Sequence, residues 1–404
     1  LKMKIQKDTE DTSHTFFRNG VLIVKRGVDK QFIPLSEMSG LVWSKSILGH
    51  DYNPNDTNEV GDFSRFISNV NNNDADRIEA MRIAIGYLLH DYKDGRHTQA
   101  VVCYDETVSD DANGGTGKSL LGLAIKQMRS TVYFSGKDSN KKGNNFFLQA
   151  VTPETQVLMF DDLDFGTKFE SLFTMLTGSM VIEKKNQDSY EIDETDTPKV
   201  LLSSNHPLEG MGDSDARRKL VLEFSDYYGL HRRPDSPSEA GHVFFEKGWK
   251  GDYAAEYNKF FNFMTECVQM YLNNGTELKY ISLKGAAKRD FYSICFDKKL
   301  RTMFRADDHD LFSAQGVISS HEFKQDRISE GYDFLKGYDE QLLSKVVSAY
   351  GWFRYKRETV VKTRSIGEPD MYYFADPIPS PDELEAYRQG LSVEELIDRR
   401  NPFS

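Results

Sequence analysis

The sequence predicts an α/β fold built around a mostly parallel β-sheet. Between residues 99 and 224, short apolar segments alternate with helical segments, which is the pattern of parallel strands joined by crossover helices. One apolar segment, QAVVCYDE, is followed by the glycine-rich stretch DANGGTGKSLL at Asp111–Leu121, which opens a helix. A small β-rich region precedes this domain, and a largely helical region follows it.

The composition is that of a folded chain with no overall attraction for polyanions. Of its 404 residues, 39% are hydrophobic, which is enough for sizeable cores in two or three domains. The net charge of −12 means that a nucleic-acid partner must be bound by local basic features. Cys103, Cys267 and Cys295 form no CxxC pair, which argues against zinc or disulfides and favours a reducing cytoplasm. No apolar run is long enough to span a membrane, so no membrane partner is expected.

The periodicity along the chain predicts five regions. Residues 1–73 contain short strands such as GVLIVKRG and QFIPLS, and residues 74–100 form a helical collar segment. The α/β domain occupies residues 101–228. Residues 229–300 form a helical region around AAEYNKFFNFMTECVQMYLNNG. Residues 301–404 contain a helix followed by a basic hairpin, for which a winged-helix domain is one interpretation.

The glycine-rich stretch has the pattern of a phosphate-binding loop. Gly117, Lys118 and Ser119 fill the last three positions of G-x-x-x-x-G-K-[ST], although Ala112 takes the place of the first glycine. Lys118 is expected to reach the β- and γ-phosphates of ATP, and Ser119 to ligate Mg²⁺. The alternative is an ordinary glycine-rich turn before a helix. The predicted nucleotide-binding residues are Asn113, Gly114, Gly115, Thr116, Gly117, Lys118, Ser119 and Leu120.

Two aspartates follow the next buried strand of the predicted sheet. Val157–Phe160 is a continuous apolar run, and Asp161 and Asp162 come directly after it. Ligands of such sheets bind at the carboxyl ends of the strands. We therefore expect Asp161 to hold Mg²⁺ and Asp162 to polarise the attacking water, with Asp164 as an alternative for either role. The competing interpretation is that these acidic residues cap the following helix.

Two further segments complete the predicted site. Asn205 follows the strand Val200–Leu202, where its amide is placed to orient a water molecule or the γ-phosphate. Arg217 and Arg218 precede the apolar run KLVLEF. Arginine stabilises the charge of a phosphoryl group during transfer, often from a neighbouring subunit. The sequence does not choose between the two arginines, and a basic turn on a solvated edge is the alternative.

These four elements, in this order, resemble superfamily 3 helicases of the AAA+ class, in particular the poxvirus-type primase-helicases of phages, plasmids and prophage-like elements. NGGTGKS is similar to their phosphate loop, VLMFDD to their second motif, LLSSN to their sensor strand, and DARRKLVLEFSDYY to their arginine-finger segment. FFRNGVLIV and SGLVWSKSIL are similar to the small region before the ATPase domain. The resemblance covers residues 15–230 and weakens beyond Asn274. Asp162 departs from it, because many AAA+ proteins have glutamate there.

The resemblance implies an AAA+-like P-loop ATPase that forms a homo-oligomeric ring, a hexamer, with ATP between subunits and single-stranded DNA in the channel. The implied function is an ATP-dependent DNA helicase that replicates a mobile element in the cytoplasm of a bacterial host. A primase is implied as an upstream domain or a separate partner. A hairpin before the sensor strand contacts DNA in such helicases, and GSMVIEKKNQDSYEI lies in that place. Lys184 and Lys185 are therefore the predicted DNA contacts, unless they belong to an ordinary charged turn.

Other functions and contacts stay open at this point. One is a different DNA-directed ATPase, of the packaging or clamp-loader type. Another is an ATP-binding scaffold that recruits a replication origin without unwinding it. The basic C-terminal hairpin is a second candidate DNA contact, and its cationic residues are Arg354, Lys356, Arg357, Lys362 and Arg364.

Overall fold

The computed structural model describes residues 5–38, 40–93, 98–108, 115–136, 147–164, 167–208, 217–230, 254–295, 299–300, 317–319, 324–325, 328–329, 331–339, 342–343 and 371–373. The chain divides into two units, Leu1–Gly285 and Ala286–Ser404. No helix in the described part of the chain is long and apolar enough to cross a membrane.

The first unit contains the following elements. Its strands are β1 (Thr12–Phe17), β2 (Gly20–Lys25), β3 (Val28–Ile33), β4 (Ile47–Leu48), β5 (Ala100–Asp105), β6 (Thr131–Ser135), β7 (Val157–Leu163), β8 (Met180–Ile182), β9 (Tyr190–Ile192), β10 (Lys199–Ser204) and β11 (Lys219–Phe224). Its helices are α1 (Asp62–Val70), α2 (Ala75–Leu89), α3 (Lys118–Met128), α4 (Phe173–Thr177), α5 (Tyr227–Leu230) and α6 (Ala254–Asn273). Short 3-10 helices lie at Leu35–Glu37, Ser44–Ser46, Phe169–Leu172 and Glu194–Asp196.

Five of these strands form the predicted parallel sheet, in the order β11-β5-β10-β7-β6. Both faces of the sheet are covered, which explains why its strands are nearly continuous apolar runs. Along β5, Val101 and Cys103 belong to the core shared with α1, α2, α3 and α6. Val102 and Tyr104 belong to a second core, shared with α4 and the β8–β9 hairpin. The mixed α/β architecture with a parallel sheet is therefore confirmed.

The N-terminal region forms a second, four-stranded sheet in the order β3-β2-β1-β4. β2 is the strand predicted over GVLIVKRG, and Gly27 turns between it and β3 with a φ of +68°. β3 coincides with only the first three residues of the second predicted strand, QFIPLS, because Leu35–Glu37 form a 3-10 helix. Helix α1 was not predicted, because its nine residues follow a loop rich in Asn, Asp and Pro. Its apolar residues nevertheless have helical spacing, and all four of them are buried: Phe63, Phe66, Ile67 and Val70.

The two long helices of the first unit pack closely on each other. At the start of α2, the Asp74 carboxylate accepts a hydrogen bond from the Arg77 backbone N–H at 3.1 Å. A Cβ atom on Gly86 would lie 2.1 Å from the Cys267 carbonyl oxygen of α6, so only glycine permits this approach. α6 ends before Gly275, whose φ is +73°, as the sequence predicts.

The second unit is described in part. It contains α7 (Ala286–Ile294), a 3-10 helix at Asp333–Gly337, and the strands β12 (Val317–Ser319) and β13 (Met371–Tyr373). β12 and β13 pair in antiparallel orientation. Most of the helix predicted over DEQLLSKVVSAYG lies outside the described residues, and so do the basic residues between Arg354 and Arg364. The winged-helix domain therefore stays a prediction.

Candidate nucleotide-binding site

The phosphate-loop sequence is described from Gly115 onward, while Asn113 and Gly114 lie outside the described residues. Gly115 and Gly117 have φ values of +80° and +105°, in the left-handed region that favours glycine. A Cβ atom on Gly117 would lie 2.6 Å from the ring of Phe66 in α1. Glycine is thus required at position 117 both for its backbone conformation and for the space it leaves.

The loop leads directly into α3, as the sequence predicts. Gly117 is the N-cap residue, Lys118 is the first helical residue, and the first turn contains no acidic side chain. Backbone N–H groups at such an N-terminus attract anions, and the helix dipole adds to the attraction. Thr116 is buried, Ser119 is exposed, and Leu120 is buried in the core beneath the loop.

Lys118 is only 7% exposed, and its ammonium is paired with a carboxylate that was not predicted as part of the site. Its Nζ atom lies 2.5 Å from Oδ1 of Asp105, the last residue of β5. The Thr116 hydroxyl donates to the same oxygen at 2.6 Å. Burial raises the pKa of the nearby Cys103 thiol to about 12, so this cysteine is no nucleophile. The sequence signal for Asp105 was its position at the end of the strand before the loop.

A second group of polar side chains surrounds Asp161. The Ser119 hydroxyl donates to Asp161 Oδ1 at 2.9 Å, and the Ser203 hydroxyl of β10 donates to the same oxygen at 2.6 Å. Carboxylate and hydroxyl oxygens suit Mg²⁺, which proteins usually bind through one or two carboxylates together with substrate phosphates. Within the described ranges, no group of three or more His, Cys, Asp and Glu side chains could hold a metal ion. The Ser119 and Asp161 oxygens are of the kind that binds Mg²⁺ together with substrate phosphates.

Asp161 and Asp162 lie inside β7 rather than after it, because the strand continues to Leu163. The pairing with β10 is interrupted there by a bulge, in which Asp161 and Asp162 together oppose the single residue Ser203. Asp162 has a φ of +57°, which is uncommon for residues other than glycine but is tolerated by aspartate. A Cβ atom on Gly136 would lie 2.3 Å from the Asp162 carbonyl oxygen, so the backbone that follows β6 packs tightly against the bulge.

The bulge brings Asp162 to the predicted sensor residue. The Asn205 side-chain amide donates to Asp162 Oδ1 at 3.1 Å, and the Asp162 backbone N–H donates to the Ser203 hydroxyl at 3.0 Å. Successive side chains of a regular strand point to opposite faces, so Asp161 and Asp162 depend on the bulge for sharing one site. The Asp164 backbone carbonyl accepts a hydrogen bond from the Thr167 hydroxyl at 2.8 Å.

Arg217 and Arg218 lie at the opposite, amino edge of the sheet. They precede β11, and the Arg218 carbonyl oxygen accepts from the N–H of Ala100, the first residue of β5, at 2.9 Å. At about 3.3 Å per residue, the length of β5 separates this edge from Asp105. The Arg218 guanidinium lies 4.6 Å from the centre of the Phe173 ring, and Arg217 is exposed. The fold thus separates both arginines from the other predicted site residues of the same chain.

The hairpin predicted before the sensor strand is present. β8 and β9 pair in antiparallel orientation, and the turn is closed by the Gln187 N–H donating to the Lys184 carbonyl at 3.3 Å. Asn186 occupies the left-handed region with a φ of +59°. Lys185 is exposed, whereas the Lys184 ammonium lies 5.2 Å from the centre of the Tyr190 ring.

The amino edge of the same sheet contains a buried group of basic side chains, which are not among the predicted site residues. Lys199, the first residue of β10, donates to the backbone carbonyls of Tyr87, at 2.6 Å, and His90. The Arg129 guanidinium donates to the Leu89 carbonyl at 2.6 Å. Burial lowers the pKa of Lys199 to about 7 and the pKa of His90 to about 4. Lys199 and Arg129 thus provide hydrogen-bond donors for the carbonyl groups at the end of α2.

Comparisons with known proteins find a family model over part of the chain and distant similarity to solved structures. A model described as a family of unknown function, DUF5906, matches residues 112–218. No curated protein matches the chain. An apo structure of the NrS-1 C-terminal region is 13% identical, covering 90% of this chain and 96% of that chain with a TM-score of 0.38. A ligand-bound JCV helicase is 10% identical, covering 57% of this chain and 64% of that chain with a TM-score of 0.29. At these TM-scores, the similarity assigns no function to this chain.

Proposed function

We propose that the chain is an ATP-dependent DNA helicase that acts in the replication of a phage, plasmid or other mobile element. One observation carries the proposal: at the carboxyl edge of a parallel sheet, the phosphate-loop residue Ser119 contacts Asp161, and the neighbouring Asp162 contacts Asn205. Ligands bind at this edge in such sheets, and the helix N-terminus there attracts phosphate.

The roles of the residues follow from their contacts. Lys118 and the N-terminal N–H groups of α3 bind the phosphates of ATP. Ser119 and Asp161 hold Mg²⁺, which neutralises phosphate charge when it is bound. Asp162 accepts a hydrogen bond from the attacking water and takes up its proton, while Asn205 holds the Asp162 carboxylate in place at 3.1 Å. The two carboxylates are adjacent in the bulge but have different partners, Ser119 for Asp161 and Asn205 for Asp162. We therefore assign metal binding to Asp161 and proton transfer to Asp162.

A second copy of the chain is part of the proposal. Arg217 and Arg218 lie about one strand length from the edge that carries Lys118, which supports a role on the ATP of a neighbouring subunit. A closed ring gives every subunit such a neighbour, and we propose a hexamer. In the ring, Lys184 and Lys185 repeat once per subunit and bind the backbone of single-stranded DNA.

The link between ATP and DNA runs through the chain itself. The β8–β9 hairpin lies between β7, which carries Asp162, and β10, which leads to Asn205. A change in the contact between these two side chains when ATP is hydrolysed therefore acts at both ends of the segment that carries Lys184 and Lys185. The hairpin is proposed to move with each hydrolysis step and to pull the strand along.

A strand-displacement assay with Mg²⁺ and ATP tests this function. We expect unwinding and DNA-stimulated hydrolysis by the unaltered chain, and loss of both in Lys118→Ala. Lys126→Ala is the matched control, since it removes an exposed lysine from the same helix. Hydrolysis without displacement would favour a packaging or clamp-loader motor. ATP binding without hydrolysis would favour an origin-recruiting scaffold.

The hairpin is tested separately by the double variant Lys184→Ala, Lys185→Ala. Basal hydrolysis should survive, whereas unwinding should be lost and single-stranded DNA should bind more weakly. The affinity should also depend less on salt, because each lost phosphate contact lowers the slope by about 0.7. Unchanged unwinding by this variant would exclude the hairpin as the DNA contact and would direct attention to the basic residues around Lys356 and Arg357.

A further inference from the structure

The residue that the proposed function leaves unused is Asp105. Its Oδ1 atom receives two hydrogen bonds, from the Lys118 ammonium at 2.5 Å and from the Thr116 hydroxyl at 2.6 Å. The side chains of Asp105 and Lys118 are 13% and 7% exposed, so little water screens the pair. Charge-assisted hydrogen bonds of this length are roughly twice as strong as neutral ones.

The position of Asp105 is fixed by the sheet. It is the last residue of β5 and lies level with Phe224 of β11, and the following N–H, of Glu106, donates to the Phe224 carbonyl at 2.8 Å. The Glu106 side chain is turned to a different cation, Arg77, at 2.5 Å. Asp105, and not Glu106, is therefore the carboxylate that contacts the loop lysine, and the position of its backbone is fixed by the sheet.

The Asp105 carboxylate and the phosphates of a nucleotide would both bind the Lys118 ammonium. Lys118 is the residue assigned to the β- and γ-phosphates, and its ammonium is in direct contact with Asp105. A phosphate that reaches this ammonium must displace the carboxylate or accept a negative charge close beside it. Either way, the free energy of nucleotide binding is reduced by the strength of the Asp105–Lys118 pair.

We propose that Asp105 is a positioning residue that competes with the β- and γ-phosphates for the Lys118 ammonium and thereby limits the affinity for nucleotide. This inference rests on the proposed function, since it takes the loop to be an ATP site. The competition makes release of nucleotide easier, because Asp105 offers Lys118 an alternative partner within the same chain. Thr116 strengthens the effect by holding Asp105 Oδ1 toward the loop.

The test is isothermal titration of the full chain with ADP and, separately, with inorganic pyrophosphate, each in the presence of Mg²⁺. Asp105→Asn keeps the size of the side chain and one acceptor oxygen but removes its charge. We expect this variant to bind both ligands about tenfold more tightly, because one charge-assisted hydrogen bond no longer opposes binding. A damaged fold does not imitate this result, since damage weakens binding.

Asp226→Asn is the matched control. Asp226 is exposed and follows Phe224 at the same edge of the sheet, so its removal changes the charge there without touching the Lys118 pair. We expect its affinities to equal those of the unaltered chain. An equal gain in both variants would overturn the proposal, because general repulsion would then explain the effect.

The remaining outcomes separate this inference from the function beneath it. Binding by the unaltered chain with no gain in Asp105→Asn would overturn the competition and leave the ATP site in place. Weaker binding by Asp105→Asn would also overturn it, since Asp105 would then orient Lys118 for the phosphates. Failure of the unaltered chain to bind either ligand would overturn the proposed function and this inference with it.

Discussion

Both edges of the parallel sheet contain buried lysine side chains, but the hydrogen-bond partners of these lysines differ. At the carboxyl edge, Lys118 and Ser119 contact the side chains of Asp105 and Asp161. At the amino edge, Lys199 donates to main-chain carbonyls at the end of α2. Side-chain partners can be exchanged for a ligand by a change of rotamer, whereas main-chain partners are fixed by the fold. Charge and burial alone therefore do not distinguish the two edges; the kind of partner does.

The largest expected effect is on the chemistry of the carboxyl edge. Asp162→Asn should reduce ATP turnover about a thousandfold while leaving nucleotide binding intact, because an amide cannot take up the proton of the attacking water. Asparagine tolerates the left-handed backbone that position 162 adopts, so the bulge should persist. The measurement is single-turnover hydrolysis together with the dissociation constant for ADP. Undiminished turnover would transfer the role to Asp164, and loss of Mg²⁺-dependent binding would exchange the roles of Asp161 and Asp162.

A single substitution at the amino edge should affect the stability of the fold and not the rate of ATP hydrolysis. Lys199→Met keeps the length of the side chain but leaves the buried carbonyls of Tyr87 and His90 without their hydrogen-bond donor. We expect the free energy of unfolding to fall by about 3 kcal/mol, as measured by urea denaturation. Turnover per folded molecule should stay unchanged. Lys126→Met, on the exposed side of α3, is the control and should change stability by less than about 0.5 kcal/mol. Loss of turnover at full stability would place Lys199 in the active site.

The smallest expected effect is a pH dependence at the amino edge. Burial lowers the pKa of His90 to about 4 from its ordinary value of 6.5, so the unfolded chain binds a proton between these values and the native chain does not. The contribution of His90 to the free energy of unfolding is therefore fully present above pH 6.5 and is lost as the pH falls toward 4. We expect a loss of about 2 kcal/mol between pH 6.5 and pH 4.5. His90→Gln, which retains a donor for the Thr9 carbonyl, should show a smaller loss. Identical pH profiles for the two proteins would show that His90 is not the group responsible.

The elements that the sequence predicted well are those whose signal is local. β5, β7 and β10 each contain a short apolar run, with polar residues near their carboxyl ends. The glycines of the phosphate loop and the first turn of α3 are likewise adjacent in sequence. The ends of parallel strands share an edge of the sheet, so the sequence could predict that Asp161, Asp162 and Asn205 lie at the edge where the phosphate loop begins α3.

The parts that were missed depend on pairing between distant segments. The bulge at Asp161 and Asp162 exists only because β7 pairs with β10 in a particular register, which places Ser203 opposite both aspartates. The contact between Asp105 and Lys118 depends on the path of the loop between β5 and α3. Arg217 and Arg218 were placed correctly before β11, but the order of the strands decides which edge they occupy. The functional roles of all these residues stay predictions.

Thermal unfolding with and without ADP and Mg²⁺ tests the difference between the two edges most directly. A ligand at about 100 times its dissociation constant stabilises the native state by about 2.7 kcal/mol. We expect this stabilisation for the unaltered chain and, from a lower starting temperature, for Lys199→Met. Lys118→Ala leaves the Asp105 carboxylate without its cation, so it should also start from a lower unfolding temperature, but it should gain little from ADP. Full stabilisation of Lys118→Ala by ADP, or its loss in Lys199→Met, would contradict the assignment of the carboxyl edge as the nucleotide site.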